Sequence, residues 1–196
     1  MSGTLSTNFF RNVNITSVTR TRISETISNK TQRKSVGGQH WALTLQSHNL
    51  TQAEMSELYS FLIKQNGQFD SFLFVPPKHG STRSTNASGT PTVIDDFAAG
   101  LVLIKAQGGS GSLKKGDFIK FSNHDKIYML VEDVDQDASS EDAFEIFPPL
   151  TEAINNSTTI QYNDVPFTVY LTNDRTAFKT GIDGTYQIDV TAREDI

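Results

Sequence analysis

The stretch LTQAEMSELYSFLIKQNGQFDSFLFVPP, Leu50 to Pro77, decides how the chain is read. Thr51 followed by Glu54 fits a capping box, in which the hydroxyl and the carboxylate satisfy amides that a first helical turn leaves unpaired. Leu50 and Met55 stand at the ends of a hydrophobic staple, and Met55, Leu58, Tyr59 and Leu62 recur at the spacing of one helical face. Lys64 suits the negative end of the helix dipole, and Gly67 can take the left-handed conformation that closes a helix. The pattern predicts a helix over residues 51–66 with its apolar face on a sheet. A strand follows, with Phe69, Ser71, Leu73 and Val75 facing one way and Phe72 and Phe74 the other, until Pro76-Pro77 stops it. Burying Met55, Leu58 and Leu62 contributes roughly 1.5–3 kcal/mol each before entropy is subtracted, so docking this helix outweighs any surface charge pair.

Everything around that helix reads as β-structure. Val13, Ile15, Ile23 and Ile27 share one parity over residues 12–27, and Ser28-Asn29-Lys30-Thr31 turns the chain back, which predicts a long hairpin. Its outer half, TRTRISETISNKTQRKS, is too polar for a core element, so the arm either stands in solvent or pairs with a neighbouring subunit. The return strand carries Gly37-Gly38, suited to a bulge or a close backbone approach. Beyond it Trp41, Leu43 and Leu45 alternate with polar or small residues, which makes Trp41 an inward anchor.

On the other side, Lys78 to Thr92 is polar and rich in Gly and Ser, the composition of a linker or exposed loop and a natural domain boundary. Short apolar runs then alternate with turn signals: Leu101 to Ile104, Asp117 to Phe121, Lys126 to Val131, Ala143 to Phe147. Gln107-Gly108-Gly109-Ser110-Gly111-Ser112 reads as a flexible hairpin loop and Glu132 to Asp137 as an acidic turn, so this part is a small barrel or sandwich. Strands over residues 166–171 and 185–192 return to the first domain. The expected division is 1–80 plus 163–196 as one domain, with 81–162 inserted.

With 196 residues, 36% hydrophobic and 20% charged, the composition is that of a soluble globular chain able to bury a real core. Thirteen Phe against one Trp, with many Thr, Ser and Asn, favour strands joined by polar turns. No Cys is present, which excludes disulfides and thiolate metal sites. The opening residues lack a signal-peptide pattern and no apolar run is long enough to span a bilayer, so secretion by the usual route and membrane insertion are not expected. The net charge of -5 argues against tight general binding to nucleic acid. It is unevenly spread: Arg11, Arg20, Arg22, Lys30, Arg33 and Lys34 face only Glu25 between residues 11 and 34, whereas Glu132 to Glu145 is acidic throughout. Both a neutralising contact between copies and two separately solvated hairpins fit this distribution.

Catalytic and metal signatures fail on inspection. Asp133, Asp135 and Asp137 begin like an EF-hand loop, but Ala138 stands where Gly is needed and Phe144 where a bidentate Glu is needed. His40, His48, His79 and His124 have no ligand spacing, and neither a Gly-X-Ser-X-Gly elbow nor a Ser-X-X-Lys motif occurs. The Gly108-Gly109-Ser110-Gly111 run lacks the lysine of a phosphate-binding loop. No catalytic residue, metal site or cofactor is therefore expected.

Gly37-Gly38-Gln39-His40-Trp41 leading into an alternating strand, then the capped helix, then Asn66 to Pro77, resembles the distal tail proteins of long-tailed bacteriophages, a family that includes the lambda-like minor tail protein M. The likeness is best over residues 39–77 and weaker over the closing strands from 164. It implies a tail-tube-like split β-barrel with one flanking helix, with an inserted small β-barrel or sandwich domain larger than lambda-type proteins carry. It further implies a non-enzymatic homo-hexameric ring in the virion tail, made in the host cytoplasm. Such a ring joins the tail tube protein to tail hub, tip or baseplate proteins around a channel for DNA and the tape-measure protein. In that setting Trp41, Met55, Leu58, Tyr59, Leu62, Phe72 and Phe74 pack helix against barrel. The polar arm, with Arg20, Arg22, Lys30, Arg33 and Lys34, becomes an inter-subunit contact. A carbohydrate-binding β-module, with Tyr128, Phe144 or Tyr162 as stacking platforms, is the alternative from a different class; otherwise those aromatics are core.

Overall fold

The computed structural model describes residues 3–196 and is mainly β with one helix, as the sequence pattern predicts. The chain enters through β1 (Thr4–Leu5), makes a 3-10 turn at Thr7–Phe9 and runs along β2 (Phe10–Val18) into an arm of β3 (Thr21–Glu25) and β4 (Thr31–Ser35). It returns as β5 (His40–Ser47), then forms α1 (Gln52–Lys64) and β6 (Ser71–Phe74). Seven strands follow in a second sheet: β7 (Ser88–Val93), β8 (Leu103–Leu113), β9 (Phe118–Phe121), β10 (Ile127–Leu130), β11 (Val134–Gln136), β12 (Asp142–Phe147) and β13 (Ile160–Gln161). The chain then closes with β14 (Phe167–Leu171), β15 (Phe178–Thr180) and β16 (Tyr186–Glu194).

The first sheet has the order β1-β6-β14-β16-β5-β2, with β15 attached to β16, and forms a half-barrel. Early and late segments are thus interleaved: β5 lies between β2 and β16, paired from Val18↔His40 on one side and Arg193↔Ala42 on the other. The alternation seen around Trp41 holds, with Trp41, Leu43 and Leu45 all buried. The single parity expected over residues 12–27 does not. Val13 and Ile15 are half-buried against the core, but Ile23 is 60% and Ile27 107% exposed, because β2 ends at Val18 and the arm beyond it has no layer beneath it.

The helix starts where its capping box places it. Thr51 Oγ1 accepts from the Glu54 amide at 3.4 Å while the Glu54 carboxylate accepts from the Thr51 amide at 2.8 Å. Its far end is closed by Asn66 (φ 53°) and Gly67 (φ 66°), both left-handed. A Cβ at Gly67 would stand 2.6 Å from Asp174 Oδ1, so glycine is required there twice over. Leu58 and Leu62 are fully buried in the half-barrel core together with Phe72 and Phe74, and Met55 and Tyr59 flank it. Phe61 meets Phe72 edge-on at 5.6 Å, and Tyr59 meets Phe178 at 5.2 Å. Phe69 departs from the expected strand. The amide of Asp70 bonds back to the carbonyl of Gln65, so residues 66–69 are spent in the turn and Phe69 is left 85% exposed.

The second sheet has the order β11-β8-β12-β10-β9-β13, with β7 on the far side of β8. A bridge at Thr92↔Thr159 and the Val93 amide bonding to the Thr158 carbonyl at 2.9 Å bring β7 back to β13, so the barrel is nearly closed. Ile104, Ile119, Phe121, Tyr128, Leu130, Phe144 and Ile146 fill it. Three loops expected from composition are built differently. Residues 107–112 belong to the eleven-residue β8, paired with β7 and β11. Their glycines serve a tightly coiled strand: a Cβ on Gly111 would stand 2.1 Å from the Asn86 carbonyl oxygen. Lys78 to Thr92 ends in β7, and the acidic turn contains β11. The run Leu101 to Ile104 enters a strand only at Leu103, leaving Leu101, Val102 and Leu103 at 44%, 43% and 51% exposure.

Candidate functional site

One surface and one buried junction carry the distinctive chemistry. The arm is a two-stranded sheet of its own, in register from Thr21↔Ser35 to Glu25↔Thr31, with every residue of both strands exposed. Its tip is closed by the Thr26 amide to the Lys30 carbonyl (3.0 Å) and the Asn29 amide to the Thr26 carbonyl (2.9 Å), with Asn29 at φ 59°. Alternation sorts the side chains. Arg22 and Lys34 oppose each other on one face with Ser24 and Gln32, while Ile23 opposes Arg33 on the other face, one rung from Glu25. Like charges directly opposite are unfavourable in a ladder. Among the described residues, no ion pair involves Arg20, Arg22, Lys30, Arg33 or Lys34. At the root, Gly37 (φ 80°) and Gly38 (φ 74°) have open space where a Cβ would lie, so their role is conformational, redirecting the strand between arm and body.

The junction between the half-barrel and the small barrel was not legible as a site. Glu194 at the end of β16 and Lys126 just before β10 are both fully buried and paired at 2.5 Å. The Glu194 carboxylate also accepts from the amides of Trp41 (3.0 Å) and Ile127 (2.8 Å), and Lys126 Nζ donates to Gln39 Oε1 (2.8 Å). Trp41 Nε1 donates to the Ile127 carbonyl at 2.9 Å, and its ring meets Phe118 edge-on at 5.1 Å, which in turn meets Phe167 at 5.2 Å. Trp41 is therefore an anchor between the two sheets. Burial pushes the Lys126 ammonium down in pKa, opposed by the Glu194 charge; burial pushes Glu194 up, opposed by Lys126. The mutual pairing and the two amide donors are what make a charged pair tolerable in so dry a place.

The remaining polar candidates are structural. Asp133 accepts from Lys114 Nζ (3.3 Å) and the Lys115 amide (2.9 Å), Asp135 lies exposed in β11, and Asp137 accepts from Ser139, so the three do not converge. Among the described residues, no group of three or more His, Asp or Glu side chains could hold a metal, and no helix is long and apolar enough to cross a membrane. His48 contacts the carbonyls of Asn8 and Asn49, and His124 bridges Asn123 Oδ1 (2.9 Å) and the Tyr128 hydroxyl (2.8 Å). Burial lowers the pKa of His124, with Glu152 acting against it, and burial likewise lowers His40, assisted by Arg193. Tyr128, Phe144 and Tyr162 are 0%, 0% and 4% exposed, so none offers a face on which a sugar could stack. A further buried carboxylate, Asp117, ties the entry into the small barrel by accepting from Thr82, Arg83 and the Lys114 amide.

Residues 83–165 match the family model described as distal tail protein pb9, B domain. The matched stretch contains all of β7 to β13. No curated protein matches the chain. The match lies on the small barrel and supports a phage distal tail protein family.

Proposed function

We propose that the protein is a non-enzymatic structural component of a phage tail, six copies of which form a ring joining the tail tube to the tip or baseplate. The observation that carries the reading is the match of residues 83–165 to a distal tail protein domain. Residues 1–80 with 163–196 form the ring-building domain and residues 81–162 an inserted domain. DNA and the tape-measure protein pass through the channel, bounded above and below by tail tube and hub or tip proteins, in the virion tail.

Two physical features support it. The half-barrel ends in β2, nine residues long and, among the described residues, without a strand on its outer side, an edge that association between copies would satisfy. The arm carries basic side chains without an ion-pair partner among the described residues, which suits a heterologous contact that closes on itself. Removing residues 20–35 is expected to leave a folded monomer that forms no rings in negative-stain electron microscopy. Intact rings from that deletion would overturn the role given to the arm.

A further inference from the structure

We propose that the arm of one copy docks, through its Ile23–Arg33 face, on the outer Leu103–Glu145 ladder of the small barrel of a second copy. The inference rests on the assembly reading above and names the acceptor for the arm.

Both faces are unusual on their own. Ile23 is 60% exposed and sits directly across from Arg33; Leu103 is 51% exposed and sits directly across from Glu145. Each rung is thus an unpartnered aliphatic side chain beside a charge, and the charges have opposite sign. In the next rung Glu25 lies opposite Thr31 in the arm, and Lys105, which also pairs with Glu141 at 3.1 Å, lies opposite Ala143 in the barrel. Alternation keeps Ile23 with Glu25, and Leu103 with Lys105, on the same faces. Leu101 and Val102 extend the exposed apolar run of the barrel, while Glu145 has no ion-pair partner among the described residues.

Charge balance points to this occupant over an arm-to-arm contact. The arm's other face sets Arg22 against Lys34, so two arms meeting through that face would add cation to cation, whereas Glu132, Asp135 and Glu145 on and beside the barrel strands are exposed acids. The apolar pair supplies the contact and the flanking charges fix its register.

The chain has no Cys, which makes cross-linking clean. Ile23→Cys and Leu103→Cys variants, mixed under mild oxidation, are expected to give a disulfide-linked dimer joining one of each, in excess of either variant alone. Arg33→Glu is expected to weaken self-association on the order of tenfold, and adding Glu145→Arg to restore it. A dimer from Ile23→Cys alone in equal yield, a link formed inside one chain carrying both substitutions, or no link at all would overturn the proposal. If the unmodified protein still forms rings in those cases, only this acceptor is wrong. If it forms none, the ring reading falls as well.

Discussion

At the scale of single residues, the junction pair is the most exacting feature. Replacing Lys126 by Met leaves the buried Glu194 carboxylate without its counter-charge and is expected to cost about 3–5 kcal/mol in urea unfolding. Adding Glu194→Gln should recover part of that loss, because the amide oxygen still accepts from a backbone N–H. A cost for Lys126→Met under about 1 kcal/mol would show that the junction is wet. His124 sets a pH dependence. Burial holds its pKa below the ordinary 6.5, so its contribution is complete above that value and is lost as pH falls through the lower, folded value. Melting temperature should therefore drop on acidification from pH 7, less steeply in His124→Gln, and imidazole NMR titration should give a midpoint below 6.5. A midpoint above it would contradict the burial. Glu194 was legible in part: it shares the inward parity of Ile188, Val190 and Ala192. What no pattern in the sequence supplies is its partner, since Lys126 lies 68 residues away, just before a strand of the other sheet.

At the scale of elements, the helix and its cap could be read because every determinant is local, from Thr51 and Glu54 to Gly67. The glycine-rich β8 could not, since glycines that mark loops elsewhere here let a long strand coil past Asn86 and β7. Phe69 shows the converse: a β-favouring aromatic is claimed by the turn that ends the helix. Thr51→Ala should cost about 1 kcal/mol by removing one half of the capping box. Leu58→Asp, which puts a carboxylate into the half-barrel core, should abolish cooperative folding; an unchanged melting temperature would mean that the helix does not pack there.

At the scale of the whole molecule, the half-barrel core runs on into the small barrel through Trp41, Phe118 and Phe167, with Phe118 and Ile127 buried among the residues of the first core. The two sheets are thereby held as one body, while the arm stands off it with its charges in no ion pair among the described residues. The proposed assembly of this body is a closed ring of six. Native mass spectrometry of the purified protein at micromolar concentration tests it most directly. The account predicts a dominant species of six times the 21.7 kDa chain mass, and a monomer that persists across the concentration range would contradict it.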